Sequence, residues 1–79
     1  MNVTIERRPL TKRQREVLDF IVKYRVGHGY SPTVRDICQA FGFQSQNGAV
    51  SNILPLRAKG WITWEPNRAR TIMPVEGDA

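Results

Sequence analysis

The stretch Thr33-Val34-Arg35-Asp36-Ile37-Cys38-Gln39-Ala40-Phe41-Gly42-Phe43-Gln44-Ser45-Gln46-Asn47-Gly48-Ala49-Val50-Ser51-Asn52-Ile53 decides the fold. Thr33 is a residue type whose hydroxyl accepts from backbone N–H groups at a helix start, and Asp36 adds a negative charge in the first turn, where the helix dipole favours it. Val34, Ile37, Cys38 and Phe41 then fall on one face of a short helix and form its buried stripe. Gly42 is placed to take the left-handed conformation after the helix end, with Phe43 folding back in a Schellman-type stop. Ser45 caps a further helix only a few residues later, and Ala49, Ile53 and Leu56 face the core at i, i+4, i+7. Two helices joined by so short a glycine-containing turn read as a helix-turn-helix.

Upstream, Thr11-Lys12-Arg13-Gln14 has the pattern of a capping box and opens a first helix with Val17, Phe20, Ile21 and Tyr24 on its apolar stripe, widened by Leu18. Lys23 and Arg25 close this helix, and Gly27 to Pro32 form a loop in which His28 is a glycine-flanked loop residue. Downstream, Pro55 falls inside the third helix, where a missing N–H and a steric clash cost about 3 kcal/mol. The helix is therefore expected to kink or stop there, with Leu56 to Lys59 as a separate turn if it stops. Lys59-Gly60 supplies a basic last turn and a terminal glycine. Trp61 to Glu65 and Ala69 to Met73 flank the turn signal Pro66-Asn67-Arg68 and read as a β-hairpin with Ile62 and Ile72 inward. The fold expected is α+β and mostly α, a winged helix-turn-helix of three helices followed by a hairpin wing. It spans residues 10–74, between an N-terminal arm at 1–9 and a C-terminal tail at 75–79.

The bulk properties agree with one small domain. At 79 residues the chain suits one compact core, and its hydrophobic share of 41% and charged share of 24% are those of a globular protein. The formal net charge is +5. Between Arg7 and Pro74 all 12 lysines and arginines remain, against only Glu16, Asp19, Asp36 and Glu65, so this stretch is more basic than the whole and suits a polyanion. Cys38 is the only cysteine and His28 the only histidine, which excludes an internal disulfide and a cysteine zinc cluster. Neither residue is placed as a nucleophile, base or metal ligand. No catalytic residue, metal, cofactor or small-molecule substrate is expected. No apolar run approaches the ~18 residues of a membrane span, so a cytoplasmic protein without a membrane partner is expected.

The third helix carries the chemistry of recognition. With its core face taken, Gln46, Asn47, Val50, Ser51 and Leu54 point outward or sideways, and Ser45 stands at its start. Asn and Gln pair bidentately with adenine edges, Ser is permissive, Val packs on a thymine methyl, and Gly48 allows close backbone approach. Ser45, Gln46, Asn47, Gly48, Val50 and Ser51 are therefore the expected base-contacting residues. Lys12, Arg13, Arg15, Arg35, Arg57, Lys59, Arg68 and Arg70, at element ends, are the expected phosphate contacts. The basic residues opening the first helix oppose its dipole, which a nearby phosphate would explain.

The run Leu10-Thr11-Lys12-Arg13-Gln14-Arg15-Glu16-Val17-Leu18-Asp19-Phe20-Ile21 resembles the opening of the LexA repressor DNA-binding domain. So does Gly29-Tyr30-Ser31-Pro32-Thr33-Val34-Arg35-Asp36-Ile37, with Gly42-Phe43, Ser45, Asn47 and Lys59-Gly60-Trp61-Ile62 following in register. The resemblance implies a repressor of transcription that binds double-stranded DNA, with Ser45, Asn47 and the next few residues reading operator bases. Gly48, Val50 and Ser51 match that pattern in position and vary in identity. LexA repressors also carry a serine-lysine self-cleaving and dimerising domain, of which this sequence shows nothing. The cleavage switch of the SOS response is therefore expected to be missing and the homodimer to form on DNA, unless the chain is a fragment of something longer. A protein-binding adaptor, and a single-strand or RNA binder using Trp61 and Trp64, are the competing readings.

Overall fold

The computed structural model describes residues 8–75. It contains α1 (Lys12–His28), α2 (Val34–Phe41), α3 (Gln46–Ala58), β1 (Ile62–Thr63) and β2 (Met73–Pro74). Most of the expected arm and tail therefore lies outside the described residues. The strands pair antiparallel, Ile62 opposite Pro74 and Thr63 opposite Met73, so three helices are followed by a wing. This is the winged helix-turn-helix expected from the sequence.

Local chemistry sets the helix starts. At α1 the Thr11 hydroxyl accepts from the Gln14 N–H at 3.1 Å and Gln14 Oε1 accepts from the Thr11 N–H at 3.1 Å, a complete capping box. Thr33 and Asp36 form a second one at α2, both bonds at 3.0 Å. Gly42 ends α2 at φ 71°, and the Phe43 N–H reaches back to the Cys38 carbonyl at 3.0 Å. Ser45 departs from expectation: it occupies the N-cap position of α3, but its side chain makes no capping bond.

Among the described residues the core is formed by Val17 and Ile21 from α1, Ile37 from α2, Ala49, Ile53 and Leu56 from α3, and Ile62 and Ile72 from the hairpin. Ile62 and Ile72 both point inward, as the alternation along the hairpin predicts. Val34, Cys38 and Phe41 lie half-buried against this core.

Three further sequence expectations are corrected. The first helix runs on through Gly27 and His28 and stops at Gly29, at φ 80°. His28 is thus a helical residue, stacked on Tyr24 with ring centroids 3.8 Å apart and its Nδ1 3.1 Å from the Tyr24 carbonyl. Second, of the kink or stop expected at Pro55, the stop does not occur: α3 continues to Ala58. Ile53 and Leu56, on either side of the proline, are fully buried. Burial of each is worth about 1.5–3 kcal/mol, which offsets the single lost backbone bond. Third, the two expected strand runs shrink: of Trp61 to Glu65 only Ile62 and Thr63 are strand, and of Ala69 to Met73 only Met73 is. Arg70 takes a left-handed φ of 61°, which ends the extended run, and the ladder is only two residues long on each side. The wing is held instead by Thr71, whose hydroxyl accepts from the Glu65 N–H at 3.0 Å and lies within donating distance of the Glu65 and Arg68 carbonyls.

Candidate nucleic-acid interface

The first turns of α3 form a polar platform on the outside of the domain. Ala49, Ile53 and Leu56 are buried on its inner face, which leaves Ser45, Gln46, Asn47, Ser51 and Leu54 exposed and Val50 half-buried at the edge. The side chains of Ser45, Gln46 and Asn47 have no hydrogen-bond partner among the described residues. Ser51 and Asn52 are engaged: the Ser51 hydroxyl donates to the Gly48 carbonyl at 2.9 Å and Asn52 Nδ2 donates to the same oxygen at 3.1 Å. The freely presented polar atoms are thus concentrated at the helix start, the end that meets base edges when such a helix enters a major groove.

Gly48 has a packing reason for lacking a side chain. A Cβ there would come within 3.2 Å of three atoms of Phe43, so the glycine lets the α2–α3 turn pack against α3. Phe43 in turn stacks on Phe41 with centroids 5.8 Å apart, and the Arg13 guanidinium sits 5.6 Å from the Phe41 centroid and 5.9 Å from that of Phe43. Through these rings the basic start of α1 lies beside the start of α3. Arg13 also pairs with Glu16 at 3.5 Å, with both side chains about half exposed, a geometry that holds the guanidinium loosely.

The eight arginines and lysines expected at phosphates fall into two groups. Lys12, Arg15 and Arg35 are exposed with no partner among the described residues, and Arg68 has only a loose 3.8 Å contact to Glu65. With Arg13 they are the members of this set left available to an external anion. The other three are committed within the fold. Lys59 Nζ donates to the Pro9 carbonyl at 3.0 Å and to Gln14 Oε1 at 2.8 Å, tying α3 to the start of α1. Arg57 lies 5.6 Å over the Trp64 ring and donates to the Trp64 carbonyl at 3.2 Å. Arg70 donates to the Ser31 carbonyl at 2.9 Å, approaches Asp36 Oδ2 at 3.6 Å and covers the Tyr30 ring at 4.4 Å.

Asp36 is more than the first-turn acid that sequence reading finds. Its Oδ2 accepts from the Thr33 N–H and, at 3.1 Å, from the Tyr24 hydroxyl, while facing Arg70. The Thr33 backbone bond does most to hold its carboxyl below the usual value; partial desolvation opposes this, and the Thr33 and Tyr24 hydroxyls and the Arg70 charge add to it. A neighbouring pair, Arg25 donating to the buried Ser31 hydroxyl at 2.7 Å, ties α1 to the loop that leads into α2. The Tyr24 and Arg70 contacts of Asp36 and the Arg25–Ser31 pair have no signal in the sequence, because each joins separate elements.

The tryptophans are not laid open as stacking platforms. Both are half-buried against the core; Trp61 Nε1 donates to the Arg8 carbonyl at 2.8 Å and Trp64 is covered by Arg57. Among the described residues no group of three or more His, Cys, Asp or Glu is gathered as a metal site, and no helix is long and apolar enough to cross a membrane.

Comparison with known proteins adds an independent observation. The sequence model of the family described as LexA DNA binding domain matches residues 7–71. The chain is 50% identical over 68 residues to the LexA repressor of Aromatoleum aromaticum, covering 86% of this chain and 34% of that protein. It is 46% identical over 67 residues to the LexA repressor of an Azoarcus species, covering 85% and 33%, and 39% identical over 72 residues to that of Caldicellulosiruptor saccharolyticus, covering 91% and 36%. The chain thus spans about a third of the length of these relatives.

Proposed function

The chain belongs to the LexA DNA-binding domain family, and from that premise we propose that it is a sequence-specific regulator that binds double-stranded DNA and represses transcription. In this reading α3 enters the major groove. Ser45, Gln46 and Asn47 meet base edges, Val50 packs on a thymine methyl, and Gly48 and Ser51 allow close approach along the same face. Lys12, Arg13, Arg15, Arg35 and Arg68 lie on phosphates, and the wing rests on the backbone. The observation that carries the reading is the cluster of uncommitted polar side chains at the start of α3 beside the basic start of α1.

Residues 10–74 act as the binding unit, with 1–9 and 75–79 as flanks. Two copies pair on DNA as a homodimer over two half-sites, since symmetric regulators of this architecture read paired half-sites about one helical turn apart. The protein acts in the cytoplasm, performs no catalysis and needs no cofactor. By its resemblance it belongs with repressors of the SOS response. Selection of bound sequences from a random duplex pool tests this directly. Enrichment of a short motif, repeated as two half-sites, is expected; recovery of unenriched sequence would refute specific binding.

A further inference from the structure

The wing of this domain is poorly fixed by its own ladder, which is two residues long on each side, and Pro66 to Ala69 are all exposed. Beneath it, towards the start of α2, lies a cleft of about 220 Å³ lined by Thr33, Val34, Trp64 and the wing residues themselves. Packing therefore leaves the wing tip unsupported over α2.

One side chain spans that gap. Arg70 donates from Nη1 to the Ser31 carbonyl at 2.9 Å, stands 3.6 Å from Asp36 Oδ2, and lays its guanidinium 4.4 Å over the Tyr30 ring. Asp36 is itself anchored to α1 by the Tyr24 hydroxyl and to the start of α2 by the Thr33 N–H. The Arg70 backbone sits at φ 61°, a conformation that non-glycine residues adopt only where their surroundings hold them there. A planar guanidinium suits this three-sided site, because its flat face lies on the Tyr30 ring while the N–H groups at its edge donate in the plane; a lysine ammonium has no flat face to stack.

We propose that Arg70 is a positioning residue that clamps the wing to the α1–α2 loop and the start of α2, and sets the wing's angle to DNA without itself neutralising a phosphate. The proposal rests on duplex binding as the function, and it concerns a residue whose charge alone would assign it to the backbone. The clamp orients Arg68 and the rest of the tip, so its loss lets the wing sample orientations that miss the duplex.

The test uses the full chain with Arg70→Gly, which keeps the left-handed backbone accessible, and Tyr30→Leu, which keeps Arg70 and removes the ring beneath it. Amide hydrogen exchange is measured without DNA, and affinity for a selected duplex is measured across a potassium chloride series. Both variants are expected to exchange faster over residues 65–71 while α1 and α3 stay protected. Both should bind the duplex about three- to tenfold more weakly, with the salt slope unchanged from the parent. A salt slope lowered by about one in Arg70→Gly, the mark of a lost phosphate contact, would overturn the proposal; so would wing exchange that does not change in either variant. If the parent chain itself fails to bind duplex, the functional reading falls, while the exchange data still decide whether the clamp exists.

Discussion

Replacing Asp36 by alanine removes several contacts at one point. The carboxylate accepts from the Thr33 N–H at 3.0 Å and the Tyr24 hydroxyl at 3.1 Å, and faces Arg70 at 3.6 Å. Loss of the capping contact costs about 1 kcal/mol. The Tyr24 bond to a charged, partly exposed acceptor adds about 0.5–1 kcal/mol, and the Arg70 contact, with both side chains solvent-accessible, adds about 0.5 kcal/mol. The total is about 2 kcal/mol, or a fall of roughly 8–16 °C in Tm for a domain of this size. The pH dependence has a definite sign. Because the folded carboxyl is held below its ordinary value, its contribution is fully present above the usual carboxylate range and is lost as pH falls through the folded value. Thermal unfolding of the parent, Asp36→Ala and Asp36→Asn between neutral and acid pH checks both statements. The parent should lose stability on acidification more steeply than either variant. An Asp36→Ala variant within about 0.5 kcal/mol of the parent, or three curves with the same acid limb, would refute Asp36 as the junction of α1, α2 and wing.

Three further outcomes follow from the same structure. Ile53→Ala, which empties a fully buried position of α3, should destabilise the domain by about 2–5 kcal/mol in denaturant unfolding. Pro55→Ala should do the reverse and raise stability by about 1–3 kcal/mol, because α3 already runs through this position and alanine restores the missing N–H; a destabilised variant would mean that the proline is accommodated by a distortion the core needs. Arg13→Ala should weaken binding to every duplex alike and lower the salt slope by about one, measured on cognate and scrambled duplexes over a salt series.

The parts of this fold that sequence reading finds are those decided within three or four residues. Thr11 with Gln14, Thr33 with Asp36, and Gly42 with Phe43 form the expected caps because each acts on its own helix end. The inward faces of Ile62 and Ile72 follow from alternation, and the inner face of α3 from helical spacing. Pro55 shows where local rules fail, since the burial of Ile53 and Leu56 outweighs its cost. At the candidate site, the outward placement of Gln46 and Asn47 is legible for the same local reason. The roles of the basic residues are not, because charge does not reveal its partner. Lys59 and Arg70 look like surface cations until the fold brings Gln14 to one and Ser31, 39 positions away, to the other.

Base reading by α3 is tested by comparing the parent chain and Asn47→Ala on a selected cognate duplex and on a scrambled duplex of the same composition. With its side chain exposed and without a partner among the described residues at the start of α3, Asn47 should contribute only where the correct base is present. The substitution should cost about 1–3 kcal/mol on the cognate site, leave scrambled binding and folding stability unchanged, and relax selection at one base position. Equal weakening on both duplexes would mean that α3 is not the element that reads sequence.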